Sequence, residues 1–271
     1  AIRAAQLGLK TALVEEKSLG GTCLNRGCIP TTTLMHTSKL YRELQHIGDL
    51  GLEVAGTQYD MSRMQERKKE VVAKLQGGIA QLLQANKITL YSGKGTILAP
   101  GRVMVTIRGA RTVQAEGEAA AAEQTEAAAE HIELEAEKIL IATGAKPAMP
   151  PIAGLELPGV WTSDDLLDSP AADQVYDPLV IIGGGVIGVE LAAIYNDLGC
   201  QVTILEAMPR ILPGLDREIS QNLSMILKKR GINIHTGAKV TAVTRQDESP
   251  QQGGSLPRAN LQVCFEEKEK T

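Results

Sequence analysis

Residues 179–206 read LVIIGGGVIGVELAAIYNDLGCQVTILE. The apolar run 179–182 predicts a buried strand, 187–198 a helix closing at Gly199, and 201–205 a second strand ending at Glu206. Between the first strand and the helix lies Gly183-x-Gly185-x-x-Gly188. Such glycines permit a tight turn and let backbone approach a pyrophosphate, while the helix N-terminus offers unpaired N–H groups and the positive end of its dipole. Glu206 stands about 20 residues further on, where a carboxylate bonds a ribose 2′-hydroxyl and repels a 2′-phosphate, so NAD is favoured over NADP. The plainer reading is a structural Gly-rich turn; strand, helix and acid together favour the nucleotide.

A second copy of this layout stands near the start of the chain. Leu7-Gly8 and a strand ending at Glu15 match Leu198-Gly199 and the strand ending at Glu206, both at an offset of 191. Glu15 is therefore expected to serve another nucleotide, and two nucleotide sites in one chain imply electron transfer between two cofactors. The chain begins at Ala1, and its first residues read as mid-domain. A fragment is expected, with the first copy's phosphate-binding loop just upstream.

Outward from these copies the pattern is mixed. Residues 31–47 predict a helix with Pro30 in its first turn, and Asp60 is placed to cap a long helix over 61–86. Its apolar positions Met64, Val71, Leu75, Ile79, Leu82 and Leu83 approximate one face, and the charged residues between them read as a solvated face. Short β-like runs cover 88–108. Residues 115–130 hold eight Ala and five Glu without Lys or Arg, a low-complexity insertion to which no function is assigned. Lys138 to Ala142 predicts a strand, and the proline-containing stretch 145–178 reads as connecting chain. Asp216 is placed to cap a helix reaching Arg230, with strands near 232–243 and 260–265 after it.

The chain has 271 residues, 43% hydrophobic, with net charge −4. That is enough for one large or two ordinary domains. It has no long basic run, so nucleic acid is not an expected partner, and no apolar stretch of membrane-spanning length, so neither is a membrane. No signal peptide is recognised. Four cysteines are too few for a secreted disulfide scaffold, and a close pair in a cytoplasmic protein points to redox work or metal binding.

That pair lies in Gly20-Gly21-Thr22-Cys23-Leu24-Asn25-Arg26-Gly27-Cys28-Ile29-Pro30. Residues five apart in an ideal helix are separated by ~7.5 Å through rise alone, beyond the usual Cα separation of a disulfide, about 4.4–6.8 Å. A bridge would need a distorted segment, which Gly27 eases. A strained or exposed bridge is the more readily reduced kind. Spacing alone leaves three readings: a redox pair, half of a zinc site lacking a second close Cys or His pair, or two unrelated thiols.

The segment resembles the redox-active disulfide signature of the class I pyridine nucleotide–disulfide oxidoreductases, and its Leu-Asn and Ile-Pro choices look most like the dihydrolipoamide dehydrogenase branch. Ala142-Thr143-Gly144, Gly183 to Glu190, and Glu206 extend the resemblance over essentially the whole chain. The implied fold is α/β, with two Rossmann-like dinucleotide-binding domains (FAD then NAD), both incomplete, and a β-rich connection in the first. The FAD domain is expected at 1–150, lacking its first strand and glycine loop. The NAD domain is expected at 151–271, truncated at its C-terminus, with the interface domain absent.

The resemblance assigns roles by position. Cys23 is similar to the interchange thiol and Cys28 to the flavin-side thiol. Glu15, Gly21, Thr22, Gly95, Ala142, Thr143 and Gly144 would lie along FAD. Gly183, Gly185, Gly188 and Glu206 would bind NAD, with Glu190 near the nicotinamide and Val240 a further contact. The implied reaction oxidises protein-bound dihydrolipoamide, electrons passing through the disulfide and FAD to NAD. The implied partners are a lipoyl domain of a 2-oxo acid dehydrogenase or glycine cleavage complex and, in the complete protein, a second copy as homodimer.

The family's base is a His–Glu pair in the partner subunit's interface domain, which His36, His46, His131 and His235 do not match. The family also has Lys where this chain has Thr32, so Glu190 would lack its cationic partner and flavin tuning would be impaired. Two alternatives are a mercuric- or glutathione-type reductase and a catalytically inactive nucleotide-binding fragment. Expressed alone, the piece is expected to be poorly soluble, flavin-free and inactive.

Overall fold

The computed structural model describes residues 1–107, 130–169, 173–246 and 261–267. The chain forms two compact units, one of residues 1–25 and 70–145, the other of 26–69 and 146–271.

In the first unit α1 (Ile2–Gln6) leads into β1 (Ala12–Glu15), which pairs in parallel with β2 (Thr89–Ser92). The strands β3 (Lys94–Ala99), β4 (Arg102–Ile107) and β5 (Glu130–Glu135) form an antiparallel sheet in that order. Val105 and Ile107 are buried, as are Leu83 and Ile88. The Ala/Glu-rich run lies outside the described residues except for Glu130, the first residue of β5.

The second unit contains the stretch quoted first. β6 (Leu179–Ile182), β7 (Val202–Glu206) and β8 (Asn233–Thr236) make a parallel sheet in chain order. Helical crossovers between neighbouring parallel strands account for this order: α6 (Val186–Asp197) joins β6 to β7, and α7 (Arg217–Lys229) joins β7 to β8. An antiparallel pair follows, β9 (Ala238–Arg245) with β10 (Leu261–Glu267). Ala192, Ile194, Val202 and Ile204 are completely buried and anchor the main core, which Leu34, Met61 and Met64 join. Each such Val, Ile, Leu or Met side chain contributes ~1.5–3 kcal/mol through burial.

Two helices span the remainder, α3 (Cys28–Gln45) and α4 (Met61–Ala85). The start of α4 is set by Asp60, whose Oδ1 accepts the Arg63 N–H at 3.1 Å. Removing this cap with Asp60→Ala is expected to cost about 1 kcal/mol in a urea titration. Asp216 stands at the N-cap of α7 without such a side-chain bond. Asp197 is more consequential. Its buried carboxylate at the end of α6 holds Arg42 of α3 at 3.2 Å and also pairs with Arg230 just after α7.

Several expectations are corrected. Residues 138–142 form no strand; they have no ladder partner among the described residues, and Leu140 and Ile141 are exposed. The 145–178 stretch contains a short helix, α5 (Ser163–Asp168), opened by a capping box between Thr162 and Asp165. The face of α4 is not simply apolar: Leu75 and Leu82 are exposed, whereas Gln65 and Lys68 are buried. Lys68 is not solvated because its ammonium donates to the Leu167 carbonyl at the C-terminal end of α5. Burial pushes its pKa below the usual lysine range.

Candidate active site and nucleotide loops

The cysteine segment forms two helices in place of one distorted turn. Cys23 lies in α2 (Gly21–Arg26), Cys28 opens α3, and Gly27 between them is non-helical, with φ −141° and ψ −110°. The break makes the five-residue spacing compatible with a bond, and Cys23 and Cys28 are joined as a disulfide. Both residues are exposed. Asn25 braces the turn before α2, its Nδ2 donating to the Leu19 and Gly21 carbonyls at 2.9 Å. Thr32 is exposed, and its hydroxyl donates back to the Cys28 carbonyl.

Three features shape the glycine loop after β6. Gly183 has φ +112°, a conformation that side chains resist. A Cβ on Gly188 would lie 2.1 Å from the Gly183 carbonyl oxygen, so only glycine lets α6 approach the strand this closely. A Cβ on Gly183 or Gly185 would meet nothing within 4 Å, which leaves open space before α6. No side chain caps α6. An open cradle at an uncapped helix N-terminus suits a pyrophosphate, so the residues present fit a dinucleotide.

Glu206 does more than its sequence position indicated. It is 8% exposed, and both carboxylate oxygens are engaged. Oε2 accepts the Gly184 N–H at 2.6 Å and Oε1 the Met208 N–H at 2.7 Å. Each oxygen retains a lone pair for a sugar hydroxyl. The half-buried Glu190 lies in α6, and burial raises its pKa above the usual carboxylate range. Val240 is buried in a small apolar cluster with Leu205 and Ala238.

The internal repeat extends to the hydrogen bonding of the two strand ends. Glu15 Oε1 accepts the Lys17 N–H at 2.9 Å, matching the Glu206–Met208 bond at the same offset of 191. Gly8 and Gly199 leave their helices at φ +85° and +94°. In the first unit Gly95 packs on Val14 of β1, where a Cβ would stand 3.3 Å from the valine. Gly144 adjoins Thr22, with a Cβ 3.2 Å from the threonine oxygen. Gly21, Thr22, Ala142, Thr143 and Gly144 are exposed. A carboxylate at a strand end and an exposed Thr22–Gly144 pair fit a second dinucleotide. Among the described residues, no helix is long and apolar enough to cross a membrane.

Dihydrolipoyl dehydrogenase of Bacillus subtilis is 42% identical over 242 residues, covering 89% of this chain and 48% of that protein. Dihydrolipoyl dehydrogenase of Zymomonas mobilis is 38% identical over 248 residues, covering 92% and 48%. Among solved structures, the HOCl-induced flavoprotein disulfide reductase RclA from Escherichia coli superposes with a TM-score of 0.69 at 31% identity, covering 91% of this chain and 48% of that one. The chain thus spans about half the length of these relatives. The model of the family described as pyridine nucleotide-disulphide oxidoreductase matches residues 1–265. With its bonded cysteine pair and its glycine loop in place, the chain belongs to the pyridine nucleotide-disulphide oxidoreductase family.

Proposed function

We propose that this chain is part of an enzyme that oxidises protein-bound dihydrolipoamide with NAD through the Cys23–Cys28 disulfide. The observation that carries the reading is that exposed bond across the break between α2 and α3. Family members use FAD and NAD(H), which supply a two-electron relay and a hydride acceptor.

The chain's own part is thiol exchange. A substrate thiolate attacks Sγ of Cys23, the disulfide breaks, and Cys28 leaves as a thiolate with the bonding pair. The second substrate thiol, once deprotonated, displaces Cys23. This closes the substrate disulfide and leaves the two cysteines reduced. Residues 1–150 carry the FAD contacts, with Glu15, Gly21, Thr22, Gly95 and Ala142 to Gly144 along that cofactor. Residues 151–271 carry NAD on Gly183, Gly185, Gly188 and Glu206, with Glu190 and Val240 beside it. The partner is a lipoyl domain, and the complete protein works as a homodimer.

The test is a substrate comparison on the full-length protein. Turnover of dihydrolipoamide with NAD is expected to exceed reduction of glutathione disulfide or mercuric ion with NADPH by on the order of a hundredfold or more, a gap of about 2.7 kcal/mol. The reverse preference would assign the protein to another branch of the family.

Position 32 offers a second test. Thr32 contributes no charge, while burial disfavours ionisation of Glu190. Thr32→Lys is expected to shift the flavin absorption and raise turnover about tenfold, a gap of about 1.4 kcal/mol. An unchanged spectrum with unchanged turnover would remove position 32 from the flavin environment.

A further inference from the structure

A groove of about 710 Å³ runs along α7 and is lined by Arg210, Arg217, Lys228, Lys229 and the apolar Met225, with no carboxylate among the described residues of its lining. The protein carries a net charge of −4, so four cations gathered without an acid stand against the average of the chain. Arg26, Arg42, Arg102 and Arg230 all pair with carboxylates. Arg210, Arg217, Lys228 and Lys229 enter no ion pair among the described residues. Arg210 is held by neutral oxygens instead, its Nη2 donating to the Pro213 carbonyl at 2.9 Å, which fixes the guanidinium without cancelling its charge.

We infer that this groove docks an acidic segment of a protein partner. Arg217 and Lys228 lie 11 residues apart on one helix, about 16 Å along its axis. That span matches roughly five residues of extended peptide, and a single phosphate group reaches only one end of it. Met225 is half exposed in the lining and offers an apolar contact between the charged ends. Nucleic acid suits the site poorly, because a chain of net negative charge repels a long polyanion beyond the groove. The docking site is independent of the redox chemistry assigned to the cysteines.

The test uses the full-length protein and a fluorescein-labelled peptide, Glu-Glu-Leu-Glu-Glu-Leu-Glu-Glu, followed by fluorescence anisotropy. Saturable binding is expected at low ionic strength, weakening about tenfold when salt is raised from about 0.05 to 0.3 M. Lys228→Glu with Lys229→Glu is expected to weaken it at least about tenfold. Because those lysines favour the C-terminal end of α7, Arg217→Glu serves as the second variant. A negative charge in the first helical turn suits the dipole, so the fold is retained and the same loss is expected. No binding at low salt, or equal binding by both variants, overturns the assignment. Displacement of the peptide by inorganic tripolyphosphate at lower concentration than by unlabelled peptide also overturns it, in favour of a small-anion site.

Discussion

Serine at Cys23 or at Cys28 is expected to lower lipoamide turnover of the full-length protein by on the order of a thousandfold or more while leaving it folded. The two cysteines are the ends of one bond, so either replacement removes the electron-accepting disulfide. The structural cost is modest. Six residues from Cys23 to Cys28 close a small loop, whose chain-entropy stabilisation is about 2 kcal/mol. Circular dichroism should therefore stay native and the melting temperature fall by a few degrees. In either variant the remaining exposed cysteine should be alkylated by iodoacetamide. Turnover within a factor of about two of the parent in either variant would exclude the disulfide from the reaction.

Gly188→Ala should bring the second large loss. Its Cβ would stand 2.1 Å from the Gly183 carbonyl oxygen and 3.2 Å from the Ile181 side chain. The first of these is backbone, so the conflict is relieved only if α6 moves away from β6. Overpacking of this kind costs about 1–3 kcal/mol. It also displaces the helix N-terminus that faces the cradle, and misplacement by about 1 Å is enough for a hundredfold loss. The dissociation constant for NAD, read by protein fluorescence quenching, is expected to rise by about that factor. Alanine at Gly185, where a Cβ meets nothing in the ligand-free protein, should leave the melting temperature unchanged and still weaken NAD. Equal affinity in both variants would mean that the cradle does not hold the dinucleotide.

The β6–loop–α6–β7 stretch was legible because its determinants are local. The Gly183 turn, the close approach at Gly188 and the end of the helix at Gly199 all depend on residues within about a dozen positions. Cys23 and Cys28 were legible for the same reason, and Gly27 is the break they require. Residues 138–142 have strand composition, but a strand exists only with a neighbour to share its ladder, and composition carries no information about that neighbour. Lys68 looked solvated because its acceptor, the Leu167 carbonyl, lies 99 residues away. The ion pairs of Asp197 with Arg42 and Arg230 are equally non-local. The helix opened by Thr162 could have been read, since Thr-x-x-Asp is a capping-box pattern; it was obscured by the prolines around it.

The grip of Glu206 on two amides bears on how coenzyme choice can change. Swapping this acid for a small neutral residue would relieve repulsion toward a phosphorylated ribose, yet it would also strand the buried amide proton of Gly184 and release that of the more exposed Met208. The stranded Gly184 donor alone costs about 1–3 kcal/mol. A lineage or an engineer moving toward the phosphorylated coenzyme therefore needs a replacement acceptor in the same step. Preference at this position is tied to the integrity of the turn itself.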